Sequence, residues 1–367
     1  ILTIGCAMIF MKVIEGSGAL DALSSLIIEK FHRFPAVLLV LIMLIIMFPG
    51  MITGSSTAAV LSAGSIMAPV LALMGIDAVT SGSIIAMGAL LGMIAPPVNT
   101  AALIICAGID VPYVGFEGPL ALITFPLAIL FVLLLGYKQA RHMDYEKLKP
   151  ALEKQDAIRK QYGVRIYIPL LVLVALMVIF KVLKLGEDIG MPLMFLISAA
   201  VGLFTGKKIN VLTAVPEAIR TAAPVMGILM GVGMFIEVMT ATGVRGLVVI
   251  SCLRLPSTLW LLACAISIPL FGAVSSYGAC SVLGVPFAYI YASLLGGNSV
   301  VVLAAISLIA AVGDMMPPTA LAGLFAAQVT GVEKYTKILK RCIVPIIILL
   351  VYACFFLANS KLIAGLF

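Results

Sequence analysis

The sequence has little charge. Charged residues make up 11% of its 367 residues, while 63% are hydrophobic. No soluble domain could hide so much apolar side chain from water. Histidine occurs twice, at His32 and His142, both in charged segments, which argues against histidine catalysis or a buried histidine metal site. The seven cysteines form no CxxC pair and read as small packing residues, with neither a disulfide nor a zinc signature. The net charge of +7 sits mostly in short loops between apolar runs. It reads as a topology signal, and no nucleic-acid partner is expected.

Uncharged runs dominate what is present. Phe34–Ile76, Ala78–Ile109 and Leu255–Gly313 contain no Asp, Glu, Lys or Arg. Each exceeds the roughly 18–20 residues that mark a membrane-spanning helix. A β-barrel would instead show short alternating segments. The chain therefore reads as an all-α, polytopic protein of the lipid bilayer.

It also reads as written twice. "FPGMITGSSTAAVLSAGSIMAP" at 48–69 resembles "FGAVSSYGACSVLGVPFAYI" at 271–290. "GMIAPPVNTAAL" at 92–103 resembles "GDMMPPTALAGL" at 313–324, and "FMKVIEGSG" at 10–18 resembles "FIEVMTATG" at 235–243. The three blocks keep their order and nearly their spacing. The expected layout is a first repeat at 1–136, a basic linker at 137–165 and a second repeat at 166–367. Two apolar spans of the second repeat, near 166–185 and 191–205, have no counterpart in the first. The alignment therefore expects roughly 55–60 further residues before Ile1.

Spans are expected at 1–15, 77–109, 119–136, 166–185, 191–205, 221–240, 298–329 and 343–360. Short amphipathic stretches are expected at 18–31 and 243–254, and paired helical units at 35–75 and 256–296. An odd number of crossings separates the matched spans 1–15 and 221–240, so the repeats face opposite ways. Lysine and arginine bias agrees. With the linker inside, that side also holds Lys30, Arg33, Lys207, Lys208, Arg220, Lys334, Lys337, Lys340 and Arg341. The outside holds Lys181, Lys184, Arg245, Arg254 and Lys361. Parity leaves open whether each paired unit is a re-entrant hairpin or two full crossings. The polar, glycine-rich turn "GMITGSST" favours re-entrance.

The breaks carry the chemistry. Pro96, Pro97, Pro317 and Pro318 remove backbone donors and stop the helical ladder from closing. In hydrocarbon such a break is tolerated where it is buried in protein or lines a polar cavity. A packing kink is the bland alternative, but two Pro-Pro pairs at matching positions, each beside polar side chains, favour function. Inverted repeats with discontinuous helices form midplane sites for substrate and coupling ion. Freed carbonyls with serine, threonine and asparagine oxygens suit Na⁺, with H⁺ as the alternative. Half-helix N-termini suit an anion.

The expected cation ligands are Thr53, Gly54, Ser55, Ser56 and Asn99 in one copy. In the other they are Ser275, Ser276, Gly278, Asp314 and Thr319. Substrate contacts are expected from Ser56, Thr57, Pro97, Asn99, Thr100, Pro318 and Thr319. Asp314 is an ionisable group at a break, fit either to ligate a cation or to carry a proton. Glu237 is a candidate partner for Lys12, which holds the matching position in the other copy; a structural pair and a transport role both remain open.

The order "TGSSTAAVLSAGSIMAP", "IAPPVNTAALI", linker, "MMPPTALAGLF" is similar to the large membrane subunit of tripartite ATP-independent periplasmic (TRAP) transporters, part of the ion transporter superfamily. The resemblance implies two re-entrant helical hairpins, two interrupted transmembrane helices and an elevator-like movement. It further implies Na⁺-driven uptake of a small organic anion such as a dicarboxylate or sugar acid, and no enzymatic activity. An extracytoplasmic substrate-binding protein and a small four-helix membrane subunit are the implied partners. The implied location is a bacterial or archaeal cytoplasmic (inner) membrane. A binding-protein-independent carrier of the same superfamily is the alternative. The sequence departs from the family pattern in placing Thr319-Ala320 after the second Pro-Pro, where glycine commonly follows, and in carrying Asp314.

Overall fold

A computed structural model describes residues 2–141, 157–183, 187–244, 247, 250, 251, 254 and 256–367; at some helical positions, Val274, Ser275 and Ser276 among them, it describes the backbone alone. Among the described residues the regular structure is entirely helical. The chain-order elements begin with α1 (Leu2–Ser17), α2 (Ala19–Phe31) and α3 (Pro35–Thr53). Then come α4 (Ser56–Ala59), a π-helical turn, α5 (Ser65–Leu73), α6 (Ala78–Ile94), α7 (Thr100–Gly108) and α8 (Glu117–Ala140). Next are α9 (Ile168–Leu183), α10 (Glu187–Thr205), α11 (Val211–Ala241) and α12 (Ser257–Ala288). The chain ends with α13 (Ser299–Ala311), α14 (Leu321–Thr330), α15 (Tyr335–Ala358) and α16 (Ser360–Ala364).

Among the described residues, six helical stretches are long and apolar enough to cross a membrane, or seven when α1 and α2, bent by 62°, count as one span. That bend falls at Gly18, whose φ of +80° a side chain would oppose. It separates the first expected span from its amphipathic neighbour. α11 starts at Val211, well before the expected 221. Glu217 and Arg220 kept its first turns out of a hydropathy-based span, although charge does not stop a solvated helix. Most of the expected basic linker (142–156), and parts of the second amphipathic stretch, lie outside the described residues.

Helices α6 and α13 form the centre. Nearly every residue of each is buried, and neither has a polar face. A helix apolar all round belongs inside the protein. α9, α11 and α15 instead expose large side chains, including Leu171, Met234 and Phe355. In a bilayer these meet lipid or partner subunits without penalty.

The chain doubles back twice around this centre. Along α3, a methyl group at Gly88 would meet Ile46, and one at Gly92 would meet Met47, so α3 and α6 run in parallel. Gly64 then returns to the level of Ile85, within 2.7 Å of its Cγ2 by the same test. The second unit behaves alike. Helical geometry is unbroken over Ser257–Ala288, yet the Cys280 Sγ lies 2.8 Å from the Ile268 carbonyl. Twelve residues of straight helix would separate those groups by about 18 Å. The backbone therefore turns between them. Gly272 abuts Gly313, and Gly284 returns to Ile306.

Candidate functional site

Each doubling-back ends against a break. At the first tip, α3 ends at Thr53, whose hydroxyl donates to the Pro49 carbonyl (2.7 Å) and accepts from the Ser55 amide (3.3 Å). Gly54 takes the left-handed conformation, with φ +63°. Ser55 caps α4 by accepting from the Ala58 amide. These short-range bonds satisfy the helix ends in an apolar setting.

Pro96-Pro97 and Pro317-Pro318 are both cis. The first break is sealed. Asn99 is fully buried and caps α7, its Oδ1 accepting from the Ala102 amide at 2.9 Å. Its Nδ2 donates to the Ile94 carbonyl (3.1 Å) and to Ser307 Oγ on α13 (2.8 Å). The Tyr113 hydroxyl donates to the Pro97 carbonyl and accepts from the Asn99 amide. The carbonyls expected to be free are thus partly claimed: Ile94 by Asn99 and Pro97 by Tyr113. A carbonyl has two lone pairs, so these bonds leave room for a further contact.

Tip and break are joined directly. Thr100 Oγ1 donates to the Gly54 carbonyl at 2.7 Å, and Thr319 Oγ1 donates to the Gly272 carbonyl at 2.8 Å. One threonine therefore follows each Pro-Pro pair and holds a tip. The second break differs in being open: Pro317 and Pro318 are exposed, whereas Pro97 is buried. Ala320, two residues after Pro318, has φ +26° and starts α14 without a side-chain cap. That backbone disfavours any Cβ by about 1–2 kcal/mol. Replacing Ala320 by glycine is expected to raise the melting temperature, with a gain of up to about 1 kcal/mol after glycine's own entropy cost. A lower melting temperature for Ala320→Gly would show the local backbone to be unstrained.

Asp314 links the two halves. It is fully buried; Oδ2 accepts from Ser56 Oγ at the first tip, and Oδ1 accepts from the Tyr277 amide at 3.3 Å in the second. The carboxylate thus ties together segments about 260 residues apart in sequence. The first tip (Thr53, Gly54, Ser55, Ser56) thus meets Thr100 and Asp314, Asn99 braces the first break, and Thr319 holds the second tip. Gly278 is buried in the second tip. The side chains of Ser275 and Ser276 lie outside the described residues. Ser307 and Tyr113 escaped the sequence reading, one inside a uniformly apolar helix and the other fourteen residues past its partner.

The expected Lys12–Glu237 pair does not form. Lys12 Nζ lies 3.0 Å from Glu217 and 3.5 Å from Glu15, while Glu237 is exposed.

The converging donors are hydroxyl and carbonyl oxygens with one carboxylate. Among the described residues no three of His, Cys, Asp and Glu gather to hold a metal ion. Hard oxygen donors of low total charge fit an alkali cation better than a transition metal. Beside the first tip lies a cavity of about 500 Å³, bounded by α1, α11, Ser55–Ile66, Tyr277 and Leu321.

Buried broken helices, polar tips and an apolar exterior are the features of a membrane permease. The sequence pattern of the tripartite ATP-independent periplasmic transporter, DctM component, matches residues 1–360. The chain belongs to that family, the large membrane component of TRAP transporters. Its members work in a tripartite transporter with a binding protein and a small subunit. No curated protein matches the chain.

Proposed function

We propose that this chain is the ion-coupled, substrate-moving subunit of a TRAP transporter in a bacterial or archaeal cytoplasmic membrane. It uses a Na⁺ gradient to take up a small organic anion delivered by an extracytoplasmic binding protein. A small four-helix subunit supports it in the membrane. Its two halves act as inverted repeats, and its paired units as re-entrant hairpins.

The observation that carries this reading is the pair of tip-to-break bonds, Thr100 to Gly54 and Thr319 to Gly272. Each puts a polar tip at the interruption of a buried helix, the setting that transporters use for midplane ion sites. The repeated contacts Gly50–Gly92 and Gly272–Gly313 support the duplication. The meeting of tip and mid-helix break supports re-entrance, because it sets the tips at the depth of the breaks.

The test is uptake into proteoliposomes holding the chain and its small subunit, with and without binding protein. An imposed inward Na⁺ gradient is expected to drive accumulation only when binding protein is present. Equal uptake by this chain alone favours the binding-protein-independent carrier. Asp314, a buried protonatable group, favours H⁺. Accumulation under a pH gradient without Na⁺ would select that reading. Within the Na⁺ reading, Asn99→Ala is expected to raise the Na⁺ concentration for half-maximal uptake at least fivefold. Unchanged Na⁺ activation removes Asn99 from the site.

A further inference from the structure

The cavity beside the first tip has features that ion coupling does not use. Lys12 lines it from α1, yet lies in neither Pro-Pro break. Its two carboxylate partners are unlike. Glu15 stands one turn along the same helix and also lines the cavity. Glu217 reaches in from α11, is not part of the wall, and has a side chain 62% exposed. Pairs of that exposure are worth only about 0–1 kcal/mol, so Glu217 is readily displaced. A second observation is independent. The Tyr277 hydroxyl on the cavity wall is buried and has no hydrogen-bond partner among the described residues. Its neighbour Thr100, which donates to the Gly54 carbonyl, makes no hydrogen bond of good geometry with it. A buried hydroxyl without a partner costs roughly 1–3 kcal/mol, which an entering polar group recovers.

We infer that this cavity is the substrate site and that it takes a hydroxylated monocarboxylate. The inference rests on the transporter reading above. The substrate carboxylate displaces Glu217 and pairs with Lys12, so Glu217 is its stand-in when the site is empty. Substrate hydroxyls meet the Tyr277 hydroxyl, the Glu15 carboxylate and the Thr57 and Ser62 hydroxyls. One amine neutralises one carboxylate, and Glu15 repels a second. The cavity's volume lies within the ~300–1,000 Å³ typical of small-molecule sites.

The test is ligand binding to the purified complex by calorimetry, using gluconate, succinate and hexanoate as probes. Gluconate is expected to bind saturably and at least tenfold more tightly than the other two. Lys12→Met is expected to weaken gluconate at least tenfold. Glu217→Gln, at an exposed position, is expected to strengthen it at least threefold, because the competitor is gone. Tyr277→Phe is expected to narrow the gluconate–hexanoate difference at least threefold. A structural ion pair predicts weaker binding in Glu217→Gln, and that result overturns the stand-in role. Wild-type binding by Lys12→Met, tighter binding of succinate, or binding of none of the three overturns the site or its class. Ion-driven uptake by the wild type is measured separately. Failure there removes the transporter reading, whereas uptake indifferent to Lys12→Met removes only this site.

Discussion

Asp314→Asn is expected to lower Na⁺-driven uptake at least tenfold while leaving the melting temperature within a few degrees of wild type. The amide has nearly the shape of the carboxylate. It can still accept from the Tyr277 amide and take part in a hydrogen bond with Ser56. What it lacks is charge. Hydrogen bonds to a charged group are worth about 1.5–3 kcal/mol, against about 1 for neutral pairs, so the brace weakens without breaking. A cation held nearby would lose its only carboxylate ligand among those tip and break groups. Asp314→Ala separates the two roles, because it also leaves Ser56 Oγ buried without its acceptor. It is expected to lose both uptake and stability. Wild-type uptake in Asp314→Asn would mean that the carboxylate serves only as a brace.

Gly92→Ala is expected to cost about 3 kcal/mol or more by the scale of severe overpacking, and to abolish uptake. Its new Cβ would lie 2.5 Å from the Met47 carbonyl oxygen and 2.8 Å from Met47 Cα. Both are backbone atoms in a packed helix, so no side-chain rotation relieves the clash. The helices must separate, and with them the first tip must leave the first break. Gly227→Ala is the control: it lies in α11 with nothing within 4 Å of the added methyl. Alanine there gains roughly 0.5–1 kcal/mol of helix stability. Thermal unfolding in detergent reads the opposite signs directly. Similar melting temperatures for the two variants would show that α3 and α6 can part without cost.

The membrane class and both breaks were legible in the sequence because each has a local cause. Apolar length marks a span, and a proline lacks the donor that a helix needs wherever it sits. The tip at Gly54 was marked by residue type in the same way. Partners were harder. Ser56 meets Asp314 across almost the whole chain, and Asn99 meets Ser307 inside a helix with no polar face. No periodicity encodes which buried polar group faces which. Lys12 shows the trap in reasoning from duplication: the repeat alignment pairs it with position 237, but contact follows proximity, which brought Glu217 instead. The unpartnered Tyr277 hydroxyl was invisible because an orphan is defined by all its surroundings at once.

The Asp314 bridge also bears on how ions would be counted. A single carboxylate leans on the first tip through Ser56 and on the second through the Tyr277 amide. An ion drawn to either break therefore pulls on a group that the opposite half already holds. By thermodynamic reciprocity, whatever the first ion does to the affinity for the second, the second does equally to the first. The two breaks would then fill as a linked pair, and a defect engineered into one would appear as altered ion affinity at the other.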